Sequence, residues 1–176
     1  GLNNRKGFAD KTEDLLEQAR ERGDYLVMLS LQIHRFKAVS DQHGYDTGDK
    51  FLKSLGAALV EELGPDAVVA RLSGDELVAA VTLRPAEVER ADAIAEQALR
   101  AITKPFTIDD RLIQVGAFAG IATAKAAEVR VPDLLRRADI VAVSPSSVWR
   151  VLRQAGSCRS RAAMRRAAFS AYLWLP

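Results

Sequence analysis

"VVARLSGDELVAAV", residues 68–81, decides how the chain reads: two apolar runs flank Ser73, Gly74, Asp75 and Glu76. The runs are joined so tightly that an antiparallel hairpin is the economical reading, with strands over 67–72 and 76–82. Two adjacent carboxylates at a hairpin tip have two uses. Asp75 and Glu76 could hold a divalent cation for phosphate chemistry, or they could close a solvated turn in which Ser73 and Gly74 serve turn geometry. On the residues alone both readings stand.

Working outward, "YLVMLSLQI" at 25–33 is a mostly apolar run of strand length and reads as a buried central strand. Residues 8–22 place Phe8, Leu15, Leu16 and Ala19 at helical spacing and stop at Gly23. "HRFKAVSDQHG" has a short helical pattern that halts at Gly44. "DTGDKFLKSLGAALVEELG" predicts a strong helix capped by Asp46 or Thr47, with Phe51, Leu52, Leu55, Leu59 and Leu63 on one face and Gly64-Pro65 as its stop. Downstream of the hairpin, Pro85 opens a helix over 85–102. "FTIDDRLIQVGAFAGIATA" predicts two strands around Asp109 and Asp110, and "VPDLLRRADIVAV" starts another helix. This order implies an α+β fold with a central, antiparallel-dominated sheet flanked by helices.

The chain has 176 residues, enough for one buried core. At 48% apolar and 27% charged residues it falls in the ordinary globular class. A formal charge of +2 gives no footprint for nucleic acid, and no apolar run approaches the roughly 20 residues of a membrane span. The single cysteine, Cys158, cannot form an internal disulfide, which points to a reducing cytoplasm. The chain starts without methionine, so a piece of a longer protein is expected. We divide it into a domain over 1–143 and an atypical basic tail over 144–176. The tail interrupts a helix with Ser-Pro-Ser-Ser and reads as a linker, an extra helix, a disordered segment or the product of a reading-frame change.

Metal-assisted phosphoryl transfer needs several oxygen ligands, usually with carboxylates from more than one backbone segment. Asp75 and Glu76 supply one segment. The neighbouring strand end, "LQIHRFK", offers only Gln32 and His34, and a neutral amide carries no charge to hold an ion. His34 and His43 read as polar edge residues, without metal-ligand spacing. In "GYDTGDK", Asp46 and Asp49 fit either a phosphate-greeting helix start or simple capping. No Walker, GxGxxG or GxSxG pattern is present.

Together these segments resemble the GGDEF family of bacterial diguanylate cyclases over residues 1–143. "GLNNRKGF", "LQIHRFKAVSDQHGYDTGDKFL", "ARLSGDELV", "KPFTIDDRLIQVGAFAGIATA" and "LLRRADIV" are similar to the family's successive motifs. The resemblance implies a nucleotidyl-cyclase, palm-like fold and, in active members, condensation of two GTP molecules into cyclic di-GMP by an antiparallel homodimer with Mg²⁺. By position, Asp75 would be a metal ligand, with the Ile33 carbonyl as a further oxygen, and Glu76 would act near the attacking ribose hydroxyl. Gly74 would let the backbone approach phosphate, Asp49 would bind guanine, and Phe36 and Lys37 would lie by the triphosphate.

The departures fall on the chemistry. Gln32 stands where the family has its first metal-binding aspartate, and His34 stands at the next. Ser40 replaces a guanine-contacting asparagine. Ser73 and Leu77 replace the outer residues of the signature, Ser146 replaces a phosphate-contacting lysine after Pro145, and residues 64–67 lack the inhibitory-site arginine. Removing one carboxylate from such a metal site costs several kcal/mol, and every ~1.4 kcal/mol is tenfold in rate. We therefore expect a catalytically degenerate domain, with Glu76 vestigial, acting as a regulatory or dimerisation module that binds GTP beside a sensor or E-A-L phosphodiesterase domain. The alternatives are a weakly active cyclase and an interaction module that binds no nucleotide.

Overall fold

The computed structural model describes residues 2–138 together with the backbone of 152–153. Its centre is β1 (Tyr25–His34), which pairs antiparallel with β3 (Glu76–Leu83) on one edge and with β6 (Gly116–Lys125) on the other. β2 (Val68–Ser73) adds beyond β3, and the two-residue β7 (Leu152–Arg153) lies parallel beyond β6, giving the order β2-β3-β1-β6-β7. The expected central strand and hairpin are therefore present. The described part of the tail is strand where a helix was one expectation, and it satisfies ladder groups on the β6 edge. The remaining readings of the tail, including Ser146, lie outside the described residues.

Alternation along β1 sorts side chains to two faces. Val27, Leu29, Leu31 and Ile33 join Phe36, Val39, Phe51, Leu52 and Leu99 in one cluster, and Leu26 and Met28 join Phe8, Leu16, Ala19 and Leu134 in another. Helices α2 (Phe36–His43), α3 (Tyr45–Leu63) and α4 (Ala91–Thr103) cover the first face, and α1 (Arg5–Arg22) and α5 (Val131–Ala138) cover the second. Helices thus flank the sheet on both sides. At the outer edge of β2, Asn3 forms a parallel bridge to Ala70. The Asn3 carbonyl accepts from the Arg71 N–H at 3.1 Å, and its side-chain Nδ2 donates to the Val69 carbonyl at 2.8 Å.

Three local expectations are corrected. Residues 85–102 do not form one α-helix: a 3-10 helix, Pro85–Arg90, precedes α4, because proline and the exposed polar stretch after it provide an entry turn rather than a buried face. The segment 106–124 holds three strands. Asp109 and Asp110, both at positive φ (49° and 61°), close the small hairpin of β4 (Phe106–Ile108) and β5 (Arg111–Ile113), and the separate β6 then enters the main sheet. Finally, neither Asp46 nor Thr47 caps α3. Gly44, at φ 89°, is both the C-cap of α2 and the N-cap of α3, so the second helix starts at Tyr45. Thr47 is buried instead, its hydroxyl 3.5 Å from Asp109 Oδ2, while Lys50 Nζ pairs with Asp109 at 2.7 Å.

Leu31 is fully buried between β3 and β6. Leu31→Ala is expected to lower unfolding free energy by about 2–5 kcal/mol, seen as a reduced urea midpoint with an unchanged slope.

Candidate nucleotide site

The register of the central strands places the candidate residues. Glu76 lies directly across from Gln32 on β1, whose other neighbour is Phe118 on β6. Even-numbered positions of β1 and β3 share the face covered by α1 and α5, so Gln32 and Glu76 belong to that side. Asp75, in the turn, anchors the hairpin to the strand end: its carbonyl accepts from the Ile33 N–H at 2.8 Å and from Gln32 Nε2 at 3.4 Å. Ser73 Oγ lies 3.4 Å from Glu76 Oε2.

The opposite side of the hairpin opens onto a cavity of about 470 Å³ between α2, α3 and the turn. Phe36, Lys37 and Ser40 from α2, Asp49 from α3, and Gly74 and Asp75 from the turn all line it. Six residues singled out in the sequence therefore converge on one cavity, whereas Gln32, Ile33 and Glu76 stand outside its lining. Leu52 and the buried Phe36 provide apolar wall. Ser40 sits close against α3: a Cβ placed on Gly48 would come within 2.6 Å of its hydroxyl. Glycine at 48 is thus what lets α2 and α3 approach here.

Sequence reasoning did not single out Arg71, Tyr45 and Asp41, which also line the cavity. Arg71 ties the site together. Its Nε donates to the Ser73 carbonyl and one terminal nitrogen donates to the Gly74 carbonyl, both at 3.1 Å. The other terminal nitrogen lies 3.7 Å from Asp49, and the guanidinium carbon stands 6.0 Å from the centre of the Phe36 ring. The signal available in the sequence was its place three residues before Gly74, within backbone reach of the turn. Asp49 also pairs with Lys53 at 2.8 Å, one helical turn on. The hydrogen bond and charge of Lys53, with a smaller contribution from Arg71, hold the Asp49 carboxyl below its ordinary value and keep it an acceptor.

A resident Mg²⁺ would need an octahedral oxygen shell. The oxygens near the turn are those of Asp75, Glu76 and the local backbone, while Gln32 directs an amide nitrogen at the Asp75 carbonyl. Among the described residues, no group of at least three His, Cys, Asp or Glu side chains is placed to hold a metal ion. These residues do not fit a resident Mg²⁺. No helix among them is long and apolar enough to cross a membrane.

Comparison with known proteins identifies the fold. Residues 1–144 match the family model described as "Diguanylate cyclase, GGDEF domain". The chain is 28% identical over 140 residues to the cyclic di-GMP phosphodiesterase NbdA of Pseudomonas aeruginosa, covering 80% of this chain and 18% of that protein. It is 31% identical over 123 residues to the bifunctional diguanylate cyclase/cyclic di-GMP phosphodiesterase MucR of the same species, covering 69% and 17%. It therefore spans less than a fifth of the length of these curated relatives. Among solved structures, a sensory box/GGDEF family protein from Caulobacter crescentus superposes with a TM-score of 0.70 at 22% identity, covering 78% of this chain and 88% of that one. The GGDEF domain of YfiN from Pseudomonas aeruginosa gives a TM-score of 0.65 at 26% identity, covering 77% and 84%. The palm-like α+β expectation is thus met, and the chain belongs to the GGDEF-domain family.

Proposed function

We propose that this is a catalytically degenerate GGDEF domain that binds a guanine nucleotide in the cavity between α2 and α3 and serves as a regulatory module in bacterial cyclic di-GMP signalling. The observation that carries this reading is Gln32. It lies opposite Glu76 and beside the Asp75 backbone, where a two-carboxylate metal site needs a charged oxygen ligand. Without that charge, the stabilisation of a transferring phosphoryl group is largely lost. The convergence of Phe36, Lys37, Ser40, Asp49, Gly74 and Asp75 on one cavity supports retained binding. We take residues 1–143 as the module and 144–176 as a separate tail, in a cytoplasmic protein. NbdA and MucR, both named as phosphodiesterases, match over less than a fifth of their length. That supports a parent in which this module neighbours an E-A-L or sensor domain and biases it, with or without dimerisation, wherever nucleotide prefers one of its states.

Incubation of the full chain with GTP and Mg²⁺, followed by chromatography, is expected to yield no cyclic di-GMP. Product that disappears in Glu76→Ala would overturn this reading in favour of a weak cyclase. Gln32→Asp, which puts a carboxylate beside the Asp75 turn that lines the cavity, is expected to create a Mg²⁺-dependent gain in GTP affinity of about tenfold, equal to ~1.4 kcal/mol in a calorimetric titration.

Gly74 supports the same reading from another direction. It is not among the positive-φ glycines, and a Cβ built there meets no atom within 4 Å, so the protein's own packing does not require glycine. Gly74→Ala is expected to leave the urea midpoint unchanged within about 0.5 kcal/mol while lowering affinity for guanine nucleotides severalfold. Unchanged affinity would remove the hairpin turn from the site.

A further inference from the structure

Among the described residues, five charged side chains line the cavity: Lys37 and Arg71 against Asp41, Asp49 and Asp75. Lys53 neutralises Asp49 from outside the lining, which brings the balance only to zero. Arg71 is partly spent within the protein: two of its N–H groups donate to the Ser73 and Gly74 carbonyls, and its charge faces Asp49 at 3.7 Å. Among the described residues, Lys37 is the other cation in the lining. A triphosphate carries several negative charges, and in this family's resemblance a metal would neutralise them. Here the described residues do not fit that metal, so among them a growing phosphate chain meets Asp75 at the turn and, opposing it, Lys37 with the partly engaged Arg71.

The α3 wall of the cavity, which carries Asp49 and Leu52, suits a nucleobase. Asp49 is held ionised and acceptor-only, which matches the adjacent ring N–H and exocyclic amine of guanine. Phe36 and Leu52 offer apolar surface beside it. Resting on the binding function proposed above, we infer that the cavity reads the guanine base and not the polyphosphate: affinity does not rise with the number of phosphates and does not depend on Mg²⁺. The module would then report the total guanine-nucleotide pool, GMP and GDP included, and not GTP alone.

The test is calorimetric titration of the full chain with guanosine, GMP, GDP and GTP, each with Mg²⁺ and with a chelator. Affinities within about threefold of one another, unchanged by the chelator, are expected. A GTP affinity more than tenfold above that of GMP, and lost on chelation, would overturn the inference while leaving nucleotide binding intact. Absence of heat with all four ligands up to millimolar concentration would instead overturn the binding function itself. Asp75→Asn separates the two electrostatic accounts by sign. If Asp75 repels phosphate, the variant binds GTP about three- to tenfold more tightly, with GMP less affected. If Asp75 serves as a metal ligand, the variant binds GTP more weakly, and the inference fails.

Discussion

β1 is hydrogen-bonded along both edges and buried on both faces, and the other elements take their places from that double burial. A strand in this position has no solvent to satisfy its backbone, so each N–H and C=O must find a neighbour in β3 or β6. Each large apolar side chain fully buried along it contributes roughly 1.5–3 kcal/mol, and Leu26, Val27, Met28, Leu29 and Leu31 are all fully buried. A slip of one residue would turn every one of these side chains to the other face. The register that results sets Gln32 across from Glu76 and brings Asp75 to the end of the strand.

Elements whose character is written in local pattern were legible. The apolar run of β1, the tight turn at Gly74 and Asp75 and the amphipathic face of α3 depend on burial and turn chemistry that neighbouring residues display. The turn at Asp109 and Asp110 was legible too, but the split of the following segment into β5 and β6 was not, because the break falls at Gln114 and Val115, which are not turn residues. What ends β5 there is the demand of β1 for a second partner, a tertiary cause. The start of α3 was missed for a related reason. Asp46 and Thr47 are good capping residues, but Gly44 turns the chain two residues earlier. In the site, candidates with charged or aromatic side chains in recognisable motifs could be named from sequence. Arg71 was not, because its place three residues before Gly74 signals only its reach to the turn, while its approach to Asp49 and Phe36 comes from the fold.

On the reading proposed above, the hairpin keeps the outline of a catalytic site without its chemistry. Its shape is held by ladder bonds to β1 and by the bonds of Arg71 to two carbonyls of the turn. None of these uses the carboxylates of Asp75 or Glu76. Stability therefore makes its main demand on the backbone of the turn, to which Gln32 Nε2 and Ser73 Oγ add long contacts at the Asp75 carbonyl and the Glu76 carboxylate. A substitution such as glutamine for a metal ligand can persist at little cost to folding, because the ion that it fails to hold is no part of the core.

Arg71 faces two ways. Its backbone N–H is held by Asn3, and its side chain grips the turn and faces Asp49. Leu2, meanwhile, packs so closely on α3 that a methyl group on Gly56 would collide with it. The residues around Asn3 therefore act like a hand on a tiller, holding β2 through Val69, Ala70 and Arg71 and α3 through Leu2, and both of these elements line the mouth of the cavity. A mechanical input at this end of the domain would thus reach the cavity along two elements at once, β2 and α3.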